Sequence, residues 1–264
     1  MAKKSVFGKL SRLLAVVGEC GPAAVAFSGG VDSSLVAAAA AIASPGSVAF
    51  TVDSPSLPRE ELSSARRTAR ATGIRHVVVK AGRQPEKYYG NHADRCYHCK
   101  RHAFSLIIRE AKRMGLSCVM DGSNADDAED HEWGMKAARE LSVRFPLVEA
   151  GIGKGEAREI ARELKVPSWD KPASACLASR IASGEGITGK ALQRVEEAEK
   201  FLKAKFGLKV VRVRVHGDLA RVQVGKGEMG GFLGAERLRL VAERLKTLGF
   251  KHVCIDAEGY VRGK

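Results

Sequence analysis

The chain has 264 residues, enough to bury one large hydrophobic core or one domain with a small second domain. Its hydrophobic fraction of 45% is typical of a globular protein, and no apolar stretch approaches the roughly 20 residues that cross a bilayer. The N-terminal segment places the charged residues Lys9 and Arg12 among apolar residues at helical spacing, unlike a secretory signal. We therefore expect a cytoplasmic protein with no membrane partner.

The net charge of +14 is unevenly placed, with more than half of it in residues 178–264. That part holds 18 basic and 10 acidic side chains. Such a surplus suggests an anionic partner, either phosphorylated small molecules or RNA. The charge distribution alone is equally consistent with a solvated basic surface that binds no ligand.

Short apolar runs alternate with helical periodicity through the first two thirds of the chain. The predicted strands are residues 23–27, 48–52, 76–79 and 118–120, and the predicted helices lie near residues 31–43, 59–72 and 103–114. This alternation predicts βαβ units and a parallel sheet with helices on both faces. We assign residues 1–177 to this α/β domain.

The most informative motif joins the first predicted strand to the first predicted helix. Residues 27–34 read Phe-Ser-Gly-Gly-Val-Asp-Ser-Ser, and free backbone N–H groups at such a helix start bind phosphate oxygens. Glycines let the backbone approach a pyrophosphate, hydroxyls donate hydrogen bonds, and a carboxylate can hold a divalent cation. The candidate nucleotide-binding residues are Ser28, Gly29, Gly30, Asp32, Ser33 and Ser34, and Asp32 is also a catalytic candidate. A serine- and glycine-rich turn with a capping Asp is the alternative.

The motif lacks the Gly-Lys-Ser/Thr of kinases and GTPases. It resembles the SGGxDS loop of the ATP pyrophosphatases, or PP-loop enzymes, which cleave ATP between its α and β phosphates and adenylate a substrate. The resemblance implies that ATP and Mg²⁺ bind at this turn.

Two further polar clusters follow predicted strands, which is where ligands of parallel sheets bind. Asp53-Ser54-Pro55 follows the second strand, and residues 121–127, Asp-Gly-Ser-Asn-Ala-Asp-Asp, follow the fourth. We assign Asp53, Gly122, Asn124 and Asp127 to the nucleotide and its Mg²⁺. The same residue types are also ordinary turn formers.

Residues 167–186 are rich in Pro, Ser and Gly and lack periodicity, which is typical of a functional loop between domains. Helical periodicity returns at residues 190–206 and 238–248, with a predicted hairpin at 209–224 and a last strand at 252–257. We expect a small α+β domain over residues 178–264. In the hairpin, Arg212 and Arg214 share one face and could clamp a phosphate or carboxylate, although alternation alone favours a solvent-facing polar side.

Three of the six cysteines stand out. Cys96 and Cys99 form a CxxC motif, and Cys176 lies in the loop between the predicted domains. The CxxC alone could be a redox pair or half of a zinc site completed by His98 or His102. Three thiolates could instead hold a cubane iron–sulfur cluster whose fourth iron is free to bind a sulfide. We interpret the other cysteines as small core or surface residues, namely Cys20, Cys118 and Cys254.

Five segments together resemble the LarE family of ATP-dependent sulfur transferases. They are residues 27–34, 52–58, 94–100, 121–127 and 169–180, of which 170–180 is the most specific part. The resemblance spans nearly the whole chain and implies a PP-loop, HUP-like α/β fold. It also implies an enzyme that adenylates a carboxylate of pyridinium-3,5-dicarboxylate mononucleotide, releases pyrophosphate, and forms a thiocarboxylate during biosynthesis of the nickel-pincer nucleotide cofactor.

Two branches of this family differ in their sulfur source. One sacrifices a single cysteine at the position that matches Cys176, and the other uses three cysteines to hold a [4Fe-4S] cluster whose extra sulfide is the donor. Cys96 and Cys99 resemble the second branch, so we expect both, with the catalytic candidate Cys176, to be cluster ligands, and sulfide or another sulfur donor to be a partner. The resemblance also implies that a set of polar residues binds the nucleotide substrate, namely Ser179, Arg180, Arg212 and Arg214. We further expect a homo-oligomer.

Rival functions remain open. An RNA-modifying PP-loop thiolase would suit the basic composition, but no RNA-binding module is recognisable, and we do not expect nucleic acid as the partner. An amidotransferase-type ligase like the NAD and GMP synthetases would adenylate a substrate for attack by ammonia, a chemistry that does not need three thiols. A non-enzymatic ATP sensor is the remaining alternative.

Overall fold

A computed structural model of the protein describes residues 2–127, 132–172 and 174–261, with side chains from Val6 onward. Two compact units divide the chain between them. The first comprises Met1–Pro85 and Asp94–Ser174, and the second comprises Glu86–Ala93 and Ala175–Lys264. Ala173, which is part of the family-like segment, lies outside the described residues.

The first unit is built on a four-stranded parallel sheet. Its strands are β1 Ala23–Ala26, β2 Val48–Asp53, β3 Arg75–Lys80 and β4 Cys118–Met120, arranged in the order β3-β2-β1-β4. Ala24 of β1 lies opposite Val48 of β2 on one side and opposite Val119 of β4 on the other. The predicted parallel sheet is therefore confirmed, and its inner strands are apolar runs because both faces are buried.

Helices cover both faces of this sheet, as the sequence predicts. The helices of the first unit are α1 Ala2–Gly18, α2 Val31–Ala43, α3 Arg59–Thr72, α5 Arg95–Arg113, α6 Glu132–Glu140, α7 Pro146–Glu149 and α8 Lys154–Glu163, while α4 Glu86–Tyr89 belongs to the second unit. Ala23 and Val25 of β1 pack in one core with residues of α1, α2 and α8. The intervening Ala24 packs in another core with residues of α5. Successive side chains of a strand point to opposite faces, so each face carries its own layer of helices.

Two of these helices bear directly on function. α2 is apolar nearly all round because it packs against α1 and α8 as well as the sheet, and it begins at Val31 within the serine-glycine motif. α5 begins at Arg95, earlier than the predicted start at residue 103, so the CxxC lies in its first turn. No helix in the described ranges is both long and apolar enough to cross a bilayer.

The second unit is a small α+β arrangement, as predicted. It contains α4, two short 3-10 helices at Leu177–Arg180 and Lys226–Glu228, α9 Gly189–Phe206, β5 Val211–His216, β6 Leu219–Val224, α10 Met229–Phe232, α11 Ala235–Thr247 and β7 His252–Ile255. β5 and β6 are antiparallel, and β7 joins β6 in parallel. Along β5 the valines are buried while Arg212 and Arg214 are half-buried, which is the alternation that the sequence predicts.

The segment Glu86–Ala93 is tied into the second unit by long-range backbone bonds. The Ile187 N–H donates to the Tyr89 carbonyl at 2.9 Å, and the Asn91 side chain donates to the Ala182 carbonyl at 2.7 Å. Asn91 is only 1% exposed, and this bond gives its buried amide a partner.

Candidate active site

The serine-glycine loop is shaped before any ligand binds. Gly29 has a φ of +74°, and a Cβ atom at this position would lie 2.8 Å from the Ala65 Cα on α3. The loop is closed by hydroxyl bonds, because the Ser28 N–H donates to the Ser33 Oγ at 3.2 Å and the Gly30 N–H donates to the Ser28 Oγ at 3.3 Å. Glycine is therefore required at residue 29, and the two serines fix the shape of the loop at the start of α2.

Three polar side-chain atoms beside this loop are buried without hydrogen-bond partners in the described part of the chain. They are Asp32 Oδ1, Ser34 Oγ and Asn124 Nδ2. Ser34 and Asn124 are both 0% exposed. Buried polar groups are nearly always hydrogen-bonded in folded proteins, so these atoms are the candidate contacts for a polar ligand.

The acidic loop after β4 touches the start of α2. A Cβ atom on Gly122 would lie 2.6 Å from the Ser33 backbone nitrogen, so the two backbones are in direct contact. Within the loop, the Asn124 N–H donates to Asp127 Oδ2 at 3.1 Å, and the Asp126 N–H donates to Asn124 Oδ1 at 2.9 Å. The structure thus brings together the predicted nucleotide residues of both loops, from Ser28 to Ser34 and from Gly122 to Asp127.

The pKa of Asp32 is affected by burial and by nearby charges of both signs. Burial raises its pKa, and the nearby Asp127 carboxylate raises it further. Lys154 and Arg158 act in the opposite direction, and both project from α8. A divalent cation between Asp32 and Asp127 would relieve their repulsion, which is the arrangement that a bound Mg²⁺ provides.

Asp53, the third strand-end candidate, is engaged by cations of the protein. Its two carboxylate oxygens accept from Arg59 Nη1 and Lys80 Nζ, each at 2.5 Å. Burial alone would raise the pKa of Asp53, but the hydrogen bonds from Lys80 and Arg59 lower it below its ordinary value. The structure therefore places Asp53 as an anchor for the turn after β2.

Cys96 and Cys99 lie three residues apart in the first turn of α5, with Cys96 exposed and Cys99 half-buried. The Asp121 carboxylate is the main cause of a raised pKa at Lys100, and the Cys99 and Cys96 thiols add to it. Lys100 also donates to Asp121 Oδ2 at 3.4 Å, which connects the CxxC turn to the acidic loop.

The two histidines near the CxxC are committed to other partners. His98 Nε2 lies 2.9 Å from Asp94 Oδ2, and His102 Nε2 lies 2.8 Å from the Ala81 carbonyl oxygen. Across the described residues, no three His, Cys, Asp or Glu side chains gather as a metal site. Neither the zinc alternative that uses His98 or His102 nor the predicted cluster site of Cys96, Cys99 and Cys176 gains support from this arrangement of the described residues.

Cys176 belongs to the second unit, is exposed, and directly precedes the 3-10 helix Leu177–Arg180. The Arg180 guanidinium behind it is 3% exposed and donates to the carbonyls of Ala175 at 2.8 Å and Cys176 at 3.0 Å. Ser179 Oγ donates to the same Cys176 carbonyl at 2.8 Å. Arg180 and Ser179, predicted as substrate ligands, thus fix the backbone that presents the thiol.

The predicted arginine pair lies on a basic face of the second unit. Arg212 stacks over the Tyr260 ring at 5.1 Å, and Arg214 donates to Gln223 Oε1 at 2.7 Å. Burial lowers the pKa of both arginines, and positive neighbours lower it further, Arg180 beside Arg212 and Arg221 beside Arg214. An anion bound here would offset this repulsion.

Several side chains at these sites are absent from the sequence-based prediction. Lys171 reaches the serine-glycine loop, Lys154 and Arg158 face Asp32, and Glu199 pairs with Arg180. Each is a charged residue in or beside an amphipathic helix or loop, where a solvent-facing position is the ordinary expectation. Lys171 falls within the segment 169–180 that resembles the sulfur transferases, and that is the only signal that could have indicated it.

Comparison with known proteins identifies the family to which this chain belongs. The asparagine synthase family model matches residues 19–171, which include both nucleotide loops. The pyridinium-3,5-bisthiocarboxylic acid mononucleotide synthase of Lactiplantibacillus plantarum is 31% identical over 259 residues, covering 97% of this chain and 93% of that protein. An uncharacterized protein of Synechocystis is 40% identical over 258 residues, covering 97% of this chain and 96% of that protein.

The fold, the loop and the family match define the class: this chain is a PP-loop protein that uses ATP. The predicted superfamily and the predicted use of ATP are confirmed. Its similarity to the Lactiplantibacillus plantarum enzyme extends over nearly the full length of both chains. The chain belongs to the family of the pyridinium-3,5-bisthiocarboxylic acid mononucleotide synthase.

Proposed function

We propose that this protein is an ATP-dependent sulfur transferase that acts on pyridinium-3,5-dicarboxylate mononucleotide. It activates a carboxylate of this substrate with ATP and replaces a carboxylate oxygen by sulfur. The printed name of the Lactiplantibacillus plantarum relative, a synthase of the bisthiocarboxylic acid, supports this substrate and product. The ATP loop and the three thiols supply the two kinds of group that the chemistry needs.

The first step is adenylation. The substrate carboxylate oxygen attacks the α-phosphorus of ATP, the bond to the β-phosphate oxygen breaks, and pyrophosphate leaves with that electron pair. The backbone N–H groups at the start of α2 and the Ser34 hydroxyl bind the phosphate oxygens. Asp32 and Asp127 are the residues that would hold Mg²⁺, which when bound neutralises phosphate charge.

The second step is sulfur transfer. A sulfide attacks the acyl carbon, the bond to the AMP oxygen breaks, AMP leaves with the electron pair, and a proton is released to solvent. A carboxylate by itself is a poor electrophile, whereas an acyl adenylate has a good leaving group. The outcome is a thiocarboxylate, AMP and pyrophosphate.

Cys96, Cys99 and Cys176 would hold the [4Fe-4S] cluster of the three-cysteine branch. Thiolates are the usual protein ligands of such clusters, and Lys100 lies beside Cys96 and Cys99 in the first turns of α5. When bound, the cluster supplies the sulfide. Arg180 and Ser179 donate to the Cys176 carbonyl, so the backbone of the third ligand is held by hydrogen bonds.

Arg212 and Arg214 are proposed to bind the phosphate or a carboxylate of the pyridinium nucleotide. Both are half-buried and carry positive neighbours, so an anionic substrate is a natural counter-ion. Guanidinium groups form paired hydrogen bonds to phosphate and carboxylate oxygens.

The observation that carries the proposal is the exposed Cys176 thiol on a backbone clamped by buried Arg180, in a chain with an ATP loop. The test is an anaerobic assay with ATP, Mg²⁺, sulfide and the pyridinium dicarboxylate nucleotide, read by mass spectrometry of the nucleotide. We expect exchange of oxygen for sulfur together with AMP and pyrophosphate. Absence of sulfur-containing product, with tight retention of total tRNA at physiological salt, would favour the RNA thiolase instead.

A further inference from the structure

The ATP loop of this chain contains no positive side chain. Residues 27–34 are apolar, glycine, serine or Asp, so the loop offers only backbone N–H groups and hydroxyls to a polyphosphate. The lysine of kinase and GTPase phosphate loops neutralises the β- and γ-phosphates directly. Any positive side chain that assists Mg²⁺ at such a loop must therefore come from elsewhere in the chain.

Lys171 reaches the loop from a distant part of the sequence. Its Nζ donates to the Gly29 carbonyl at 3.2 Å, to Glu61 Oε2 at 2.8 Å and to Ser64 Oγ at 2.9 Å. Its side chain is 19% exposed, and that of Glu61 is 14% exposed. The ammonium thus lies between the glycine turn and α3, at the edge of the anion-binding loop.

The backbone that carries Lys171 is held in place by a second cation. Arg158 Nη2 donates to the Lys171 carbonyl at 2.8 Å, and its Nη1 donates to the Trp169 carbonyl at 3.0 Å. Arg158 also acts on Asp32 electrostatically, so it lies beside the same loop. Two cations from residues beyond 150 therefore converge on a motif at residues 27–34.

A purely structural tie between Lys171 and α3 is the simpler explanation. Such a tie needs only the Glu61 carboxylate, and a largely buried ion pair contributes little net stability. A structural tie to α3 does not explain the hydrogen bond from Lys171 to the Gly29 carbonyl. This bond places the Lys171 ammonium beside Gly29, the residue whose left-handed backbone forms the phosphate turn. Positive charge at that point is useful when the loop holds phosphates.

We propose that Lys171 is the pyrophosphate-binding cation of this site and that Glu61 positions its ammonium until the β- and γ-phosphates of ATP arrive. This deepens the proposed function at its ATP-binding step and does not depend on the sulfur chemistry. Under this proposal, a lysine 142 residues away in the sequence supplies the charge that other phosphate loops carry within their own motif.

The test is calorimetric binding of ATP, pyrophosphate and AMP to the full-length protein with Mg²⁺, without sulfide or pyridinium substrate. For Lys171→Gln we expect the Kd of ATP and of pyrophosphate to rise on the order of tenfold or more, as for loss of a charged hydrogen bond. The Kd of AMP should change less than about twofold, because AMP lacks both leaving phosphates. Lys251→Gln removes one exposed, ion-paired lysine in the second unit and is the matched control.

Glu61→Gln separates phosphate binding from structural pairing. If the Lys171–Glu61 pair were only structural, Lys171→Gln and Glu61→Gln would have the same effects. Both variants would then weaken pyrophosphate binding and lower thermal stability to a similar extent. In our proposal Glu61→Gln keeps pyrophosphate binding within about threefold, because the ammonium is retained. The proposal is overturned if both variants lose pyrophosphate binding equally, if Lys171→Gln weakens AMP and ATP equally, or if it weakens neither. If the unmodified protein binds no ATP, the proposed function fails as well; if binding follows our expectation but no sulfur is transferred, only the proposed function fails.

Discussion

Arg180 and Glu199 form a buried, bidentate ion pair in the second unit, with Nε–Oε1 and Nη2–Oε2 distances of 2.9 and 3.2 Å. Glu199 Oε1 also accepts the Val213 backbone N–H at 3.0 Å, and Arg180 donates to the Cys176 carbonyl. The pair therefore connects β5 to the loop that carries the exposed Cys176 thiol.

Replacing Glu199 by Ala should lower the free energy of unfolding by about 3–5 kcal/mol, because it leaves a buried guanidinium without its counter-ion. Urea unfolding of the variant and the unmodified protein measures the difference. The matched control is Glu243→Ala, since Glu243 pairs with Arg239 on an exposed helix face. We expect the control to change stability by less than about 0.5 kcal/mol, and similar small losses in both variants would contradict the structural importance of the pair.

Asp32 should make the ligand-free protein less stable as pH rises. Burial and Asp127 raise its folded pKa above the ordinary value of 3.8, so the folded chain holds this proton more tightly than the unfolded chain does. The free energy of unfolding therefore falls as pH rises from the ordinary value through the folded pKa.

Asp32→Asn removes this effect, and we expect it to raise Tm near pH 7 and to raise it less near about pH 4. The same variant should lose ATP-dependent pyrophosphate release, since Asn offers no negative charge to Mg²⁺. Calorimetric scans across this pH range give the stability difference. A Tm lowered equally at every pH would show that Asp32 is instead a stabilising charge.

Gly122→Ala should separate the acidic loop from the start of α2. The added Cβ would lie 2.6 Å from the Ser33 backbone, which cannot move aside without displacing the helix. We expect a loss of about 1–3 kcal/mol in stability and a clear rise in the Kd of ATP. Gly155→Ala on α8 is the control, because nothing lies within 4 Å of its added Cβ. Unchanged ATP binding in Gly122→Ala would remove this loop from the nucleotide site.

Arg212→Ala should affect the pyridinium nucleotide more than ATP. Loss of a charged hydrogen bond to the substrate's phosphate or carboxylate would raise KM for the nucleotide on the order of tenfold, with KM for ATP changed less than about twofold. Steady-state kinetics with each substrate varied in turn provides the comparison. Arg239→Ala, on an exposed part of α11, is the control for the loss of one charge. Equal effects on both KM values would count against a substrate role for Arg212.

Local patterns in the sequence predict most of the fold. The runs that became β1 and β2 are apolar because both faces of the sheet are covered, and the alternation of Val211, Val213 and Val215 marks β5 as half-buried. The motif at residues 27–34 predicts its own place between β1 and α2, since a strand, two glycines and a helix must occur in that order.

Long-range partners could not be predicted in this way. Lys171 and Gly29 are 142 residues apart, and nothing local to either residue indicates the bond between them. Asp53 looks like a free strand-end carboxylate until the fold brings Lys80 beside it from the neighbouring strand β3. Arg180 is likewise buried against Glu199, a partner 19 residues away that nothing local to Arg180 indicates.

The most direct test of the account is one anaerobic turnover with isotopically labelled sulfide, ATP, Mg²⁺ and the pyridinium dicarboxylate nucleotide. Mass spectra of the nucleotide and of the intact protein are then recorded from the same reaction. We predict labelled sulfur in the nucleotide, iron and sulfide in the purified protein, and no change in the mass of the polypeptide. Unlabelled sulfur in the product, with Cys176 converted to dehydroalanine in an iron-free protein, would contradict the three-cysteine mechanism.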